Sequence, residues 1–139
     1  MCIKIKQIML IFVILAFIVL GCDQNIKNTD IEMSDTLLNE TRINYFQLNS
    51  YDNALNLTGS IKLTSGKIII KIVSNDSDEI FIEDDYIGNS NVNINISDLK
   101  NQKNINMVVI GENARNFSLS LNSLQKLTLD REPPQKPEK

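Results

Sequence analysis

Asn91-Val92-Asn93-Ile94-Asn95-Ile96 alternates strictly between amide and aliphatic side chains, and Phe117-Ser118-Leu119-Ser120-Leu121 does the same with hydroxyls. A period of two puts the apolar residues on one face of an extended chain and the polar ones on the other. That pattern suits half-buried antiparallel strands and no helix. Shorter stretches agree: Leu55-Asn56-Leu57 and Ile61-Lys62-Leu63 alternate, while Lys67–Val73 and Ile80-Phe81-Ile82 are rich in β-branched or aromatic residues. Turn-forming residues punctuate the runs at 50–53, 65–66, 74–78, 88–90, 98–104 and 111–113. The expected strands are 42–48, 54–64, 67–73, 79–86, 91–97, 104–111 and 115–121, with 126–130 as an eighth. Turn signals at such spacing predict an all-β fold over residues 42–130: a small antiparallel β-sandwich, jelly-roll-like, of seven or eight strands.

The N-terminus has a different grammar. Lys4 and Lys6 precede Ile8–Leu20, a run of 13 apolar residues, and then comes Val19-Leu20-Gly21-Cys22. As a helix 13 residues rise only about 20 Å, short of the roughly 30 Å hydrocarbon layer. A positive start, a short apolar core and small residues at a cut are the parts of a secretory signal. Val19-Leu20-Gly21-Cys22 resembles the lipobox of bacterial lipoproteins. The resemblance implies cleavage after Gly21, a diacylglycerol thioether on Cys22 and acylation, often palmitoyl, of the new amine. Two or three acyl chains anchor stably at about 0.8 kcal/mol per buried CH₂. Residues 1–21 are then a lipoprotein signal peptide, and the chain is expected on the extracytoplasmic face of the cell membrane, held to membrane lipid through Cys22. Residues 22–41 are expected to be the lipidated Cys and a flexible tether, with one short helix through Ile31, Met33, Leu37 and Leu38 as the alternative. Residues 131–139 (REPPQKPEK) hold all three prolines and no apolar side chain, so a disordered tail is expected. The remainder resembles, in pattern, small lipoproteins of AT-rich, low-GC Gram-positive bacteria: Phe46-x-Leu48, Gly66-Lys67-Ile68-Ile69-Ile70 and Asn116–Leu121 carry the likeness. Eighteen Asn and twenty-one Ile fit such a genome. A more distant likeness is to jelly-roll accessory domains of secreted bacterial enzymes.

Composition removes several function classes. The chain has no His and no Trp. An imidazole base is absent, so no Ser-His-Asp or Cys-His site can be built. Zinc sites of the usual His/Cys kind are excluded on the same ground. The net charge is -3, and losing Lys4 and Lys6 with the signal makes it -5. Phosphate backbones require a basic surface, so no nucleic-acid role is expected. Cys2 leaves with the signal and Cys22 is consumed by lipid, so the domain must fold without a disulfide.

Two sets of residues stand out as candidate sites. Asp76-Ser77-Asp78-Glu79 and Glu83-Asp84-Asp85 flank one short strand. Hard cations take six to eight oxygens, so Asp76, Asp78, Glu79, Glu83, Asp84 and Asp85 are the candidate calcium ligands, although no EF-hand spacing is present. Solvated turn residues are the plainer reading. The same acids could be offered as glycosidase carboxylates, but no aromatic-lined cleft is foreseen. Tyr45, Tyr51 and Tyr86 are candidates for stacking on a glycan or docking a protein. Asn91, Asn93 and Asn95 put three amides on one outer face.

These features point to a membrane-anchored, non-catalytic binding or adaptor domain for a protein, small-molecule or glycan ligand, with no cofactor. An immunity or inhibitor lipoprotein that sequesters a toxin, bacteriocin or lytic enzyme is the alternative, its acidic groups meeting a cationic partner. A carboxylate- or metal-dependent hydrolase is a minor one. The anchor has a direct test. Cys22→Ala is expected to release the protein from alkaline-washed membranes while the domain still folds; a variant that stays in the membrane pellet would show that lipid is not the anchor.

Overall fold

The computed structural model describes residues 29–49 and 51–130. Eight strands follow in order: β1 (Thr29–Leu38), β2 (Thr41–Leu48), β3 (Leu55–Lys62), β4 (Ser65–Ser74), β5 (Ile80–Tyr86), β6 (Ser90–Ile96), β7 (Asn104–Ser123) and β8 (Leu127–Asp130). Every pairing is antiparallel, and the described residues contain no helix. The expected all-β, antiparallel sandwich is what forms.

Its construction is simple. β7 is 20 residues long and is flanked on both sides along its length. On one side β1 pairs with its second half, Thr29 opposite Ser123 through Leu38 opposite Ala114, and β2 pairs with its first half, Thr41 opposite Ile110 through Gln47 opposite Asn104. On the other side β3 takes the second half and β4 the first. Three long ribbons therefore lie side by side and fold over together at mid-length. β5 adds outside β4, β8 outside β2 and β6 outside β3. The folded sheet has two layers, β5-β4-β7-β2-β8 and β1-β7-β3-β6, joined through β7.

The crease is written in the burial of β7. Ile105, Met107, Val109 and Gly111 face inward at every second position. The next inward residues are Ala114 and Phe117, at steps of three, before alternation resumes at Leu119, Leu121 and Ser123. Asn113 and Asn116 stand at φ 50° and 49°, in the left-handed region that Asn tolerates better than most residues. Between the Thr41–Ile110 and Leu38–Ala114 pairs, three residues of β7 oppose only Asn39 and Glu40. On the other side the register shifts between Ser65 and Lys67, around Gly66 at φ 84°. An extra residue in one strand bends and twists it locally. The bend is pinned by Gly111 N–H donating to the Glu40 carbonyl at 2.9 Å and by Asn113 N–H donating to Asn39 Oδ1 at 3.2 Å.

The folded halves enclose one apolar cluster. Leu38, Leu57, Ile61, Ile70, Ile94, Met107 and Phe117 are all but fully buried within it. Opposite the crease lie the connections 49–54, 75–79, 97–103 and 124–126, where Leu99 plugs the open end of the core with no exposed surface. Thr29 closes one side. Its Oγ1 accepts from the Leu127 amide at 2.9 Å and donates to the Leu127 carbonyl at 3.4 Å, tying β1 to β8 across the layers.

Two expectations need correction. The tether expected over 22–41 is strand from Thr29 onward, and neither the flexible chain nor the short helix holds for residues 29–38. Asp30-Ile31-Glu32-Met33-Ser34 does alternate, with Ile31 and Met33 turned toward the core. The pattern is obscured because β1 crosses the crease between Asp35 and Leu38, where the inward step lengthens to three. Likewise residues 111–113 are not a turn between two strands but the bend inside β7. The signal peptide, Cys22 and the tail 131–139 lie outside the described residues.

Gly111 is an exacting position at the crease. A Cβ there would stand 2.5 Å from Leu38 Cγ and from the Leu38 carbonyl oxygen, and backbone cannot step aside cheaply. Gly111→Ala should lower the urea midpoint by a loss of about 1–3 kcal/mol. An unchanged midpoint would mean that the crease opens without cost.

Candidate functional site

The acidic residues are dispersed by the strand that carries them. Asp76 and Asp78 lie in the tight β4–β5 connection, which Ser74 organises. Its Oγ accepts from the Asp76 and Ser77 amides, both at 3.2 Å, and its carbonyl accepts from the Asp78 amide at 3.1 Å. Asp78 itself has φ 58°. Glu79 is ion-paired with Lys100. On β5, Glu83 and Asp85 share the outer face, where Glu83 meets Lys71 at 3.2 Å and Asp85 meets Lys67 at 3.8 Å. Lys67 also reaches Glu112 at 3.1 Å, and these carboxylates hold its ammonium above the ordinary lysine range, Glu112 most of all. Asp84 points the other way, on the side of Ile70. There it faces Tyr86, whose phenol is raised by burial first and by Asp84 second. Alternation thus separates three consecutive acids onto two faces. Among the described residues no three His, Cys, Asp or Glu side chains gather where they could hold one metal ion.

The tyrosines do not converge either. Tyr51 projects from the β2–β3 connection with 93% of its surface exposed. Tyr45 sits on the outer face of β2 opposite Asn106, and Tyr86 is half-buried at the end of β5 opposite Ile68. Tyr45 and Tyr86 are three strands apart, roughly 14 Å across the sheet before any offset along it.

The end opposite the crease is braced by an amide and a carboxylate. Asn53 Nδ2 donates to Asp98 Oδ1 at 2.9 Å, and the Lys100 amide donates to the same oxygen at 2.8 Å. Asn53 Oδ1 accepts from the Asn101 amide at 2.7 Å, and the Asn53 carbonyl accepts from Leu99 at 2.8 Å. Lys100 and Asn101 both have positive φ, which turns the chain tightly above Leu99. The Asp98 carboxyl is held below the usual aspartate range by the Lys100 amide, then by Asn53. Beside this brace the free edges of β5 and β6 leave a cleft of about 340 Å³, with Ile80, Phe81, Ile82 and Ile96 on its walls and Asp98 and Lys100 at its rim.

The greatest chemical contrast lies between the two outer faces. On the β1-β7-β3-β6 layer the cross-strand rows read Ser34-Ser118-Lys62, Glu32-Ser120-Ser60-Asn91 and Asp30-Asn122-Thr58-Asn93. Those rows are wholly polar, Leu37 being exposed only where β1 reaches the crease, and Asn91, Asn93 and Asn95 stand on this face as expected. A shallow depression of about 280 Å³ lies there between Glu32, Ser34, Ser118 and Ser120. On the β5-β4-β7-β2-β8 layer the corresponding rows read Asp85-Ile69-Ile110-Thr41, Glu83-Lys71-Val108-Ile43 and Ile80-Val73-Asn106-Tyr45. Here five aliphatic residues, Ile43, Ile69, Val73, Val108 and Ile110, lie together, and Ile43 is 45% exposed. No other described strand covers them. Inspection of alternation alone misses this surface. Its signal is the failure of alternation in Ile68-Ile69-Ile70 and Met107-Val108-Val109-Ile110, which marks strands apolar on both faces.

Comparison with protein families, with curated proteins and with solved structures finds no match to this chain. The site must therefore be argued from its own geometry.

Asp98 gives a pH-dependent test. Its carboxyl is depressed in the folded state, so its contribution is present above the ordinary aspartate value of about 3.9 and disappears as pH falls through the lower, folded value. Asp98→Ala should lower the urea midpoint at pH 7, and the difference from wild type should shrink as pH falls below the ordinary aspartate value. A loss that does not change with pH would show that the side chain acts by packing and not by charge.

Proposed function

We propose that the protein is a lipid-anchored, extracytoplasmic binding domain without catalytic activity, and that its recognition surface is the aliphatic outer face of the β5-β4-β7-β2-β8 layer. One observation carries the reading: Ile43, Ile69, Val73, Val108 and Ile110 form a contiguous apolar surface, whereas the central cross-strand rows of the opposite face are polar throughout. Contiguous exposed apolar surface on a small domain marks an interaction site. The partner is a second protein with an apolar surface of its own. The charges beside the patch pair internally, Lys71 with Glu83 and Lys67 with Asp85 and Glu112, so they ask for no opposite charge from it. That pairing also favours this reading over capture of a cationic toxin, since Glu79, Glu83 and Asp85 already have lysine partners. The anchor rests on the lipobox-like Val19-Leu20-Gly21-Cys22.

Photo-crosslinking in intact cells tests the face. A crosslinker at Ile43 should give one discrete protein adduct, and the same group at Asn93 on the polar face should give none. Adding Ile110→Lys should abolish the Ile43 adduct while far-UV circular dichroism stays unchanged. Equal adducts from both faces, or an adduct indifferent to Ile110→Lys, would remove the aliphatic face from consideration.

A further inference from the structure

We infer that the end of the sandwich opposite the crease rests on the bilayer, with Tyr51 and Leu124 in the lipid–water interface. The inference relies on the anchor at Cys22 proposed above and adds an orientation to it. Two sets of observations lead there.

The first is chain length. With β1 beginning at Thr29, six residues of chain, 23–28, separate Cys22 from the folded domain. Fully extended, the seven steps from Cys22 to Thr29 span at most about 25 Å. Thr29 is not free to swing, because it pairs with Ser123 and its hydroxyl is bonded twice to Leu127. It emerges beside connections 49–54 and 124–126. From there to the crease each layer is about eight residues of strand deep, roughly 27 Å. Placing the crease on the membrane would stretch this segment to or past its covalent limit. Placing the opposite end there requires no extension at all.

The second is what that end displays. Tyr51 is 93% exposed and Leu124 57% exposed; the connection that carries Leu124 is tied to the start of β3 by Leu124 N–H donating to the Asn56 carbonyl and Asn56 N–H donating to Gln125 Oε1. A tyrosine with an apolar ring and a polar hydroxyl suits the headgroup level, and leucine beside it adds apolar area. Lys126 is exposed beside Leu124 and can keep its ammonium among headgroups, while the Lys103 ammonium is bonded to the Asp52 carbonyl. Asp52, Asp76 and Asp78 also lie at this end, so contact should not require anionic lipid. Exposure alone does not choose the end: Ile87 at the crease end is 75% exposed. The point of chain entry decides between them. In this orientation both outer faces stand upright from the membrane, and the aliphatic face looks sideways along it.

The test uses the full lipidated protein in phosphatidylcholine vesicles. Tyr51→Cys, Leu124→Cys and Ile87→Cys are each labelled with a thiol-reactive, environment-sensitive fluorophore. Acyl-chain-brominated phosphatidylcholine then serves as the quencher. The probes at 51 and 124 should lose most of their emission, and the probe at 87 should keep its own. Quenching at 87 alone, at all three alike, or at none would overturn the orientation. The unsubstituted protein separates this failure from failure of the anchor. A thioether at Cys22 leaves it unlabelled, whereas labelling of Cys22 shows that no lipid is attached and removes the basis of both proposals.

Discussion

Three ribbons must bend at one level for this fold to exist. β1–β2, β7 and β3–β4 are continuous partners over their whole length, so none can turn unless its neighbours turn beside it. The solution is local and stereochemical. β7 takes on an extra residue relative to each neighbour, two asparagines accept the left-handed region, and Gly66 and Gly111 leave room where the backbones approach. A Cβ at Gly66 would run into the Asn113 and Glu112 carbonyls. Everything else follows from that bend: the enclosed core, the grouping of four connections at one end, and the division of the surface into two outer faces.

Those faces were built by different rules. The second half of β7 alternates serine with leucine and its neighbours alternate in step, so one face is buried and the other hydrated. The first half and β4 carry aliphatic residues on both sides, a composition usual for strands covered on both faces. In a two-layer domain only one of those sides is covered from within. The surplus apolar surface sits beside ion pairs that satisfy the lysines, which leaves a smooth and electrically quiet surface suited to another protein.

Much of this architecture is legible in the sequence because period two is a strong signal. β2, β3, β4, β5, β6 and β8 lie within a few residues of where the alternating runs and turn residues place them. The failures share one cause. Where a strand bends, its inward step lengthens from two to three, and the periodicity dissolves. Residues 111–113 therefore resemble a turn, and 29–38 resemble a polar linker. The candidate sites were less legible still. Acids adjacent in sequence, Glu83 to Asp85, project to opposite faces of β5, and the three tyrosines are scattered by strand order, which local pattern does not encode. The aliphatic face was present as unbroken apolar runs, but only the layer count reveals that their second side is bare.

The position of β7 in the chain has a consequence for biogenesis. Before residue 104 the described strands can pair only as β3 with β6 and β4 with β5; β1 and β2 have no partner until β7 or β8 is present. The central strand of the sheet is therefore the seventh of the eight described strands to be made. Nascent chain up to that point has no closed core to form, and pairings this distant in sequence are slow to establish. A sheet so arranged closes its core only after β7 has been made, however early the outer hairpins form.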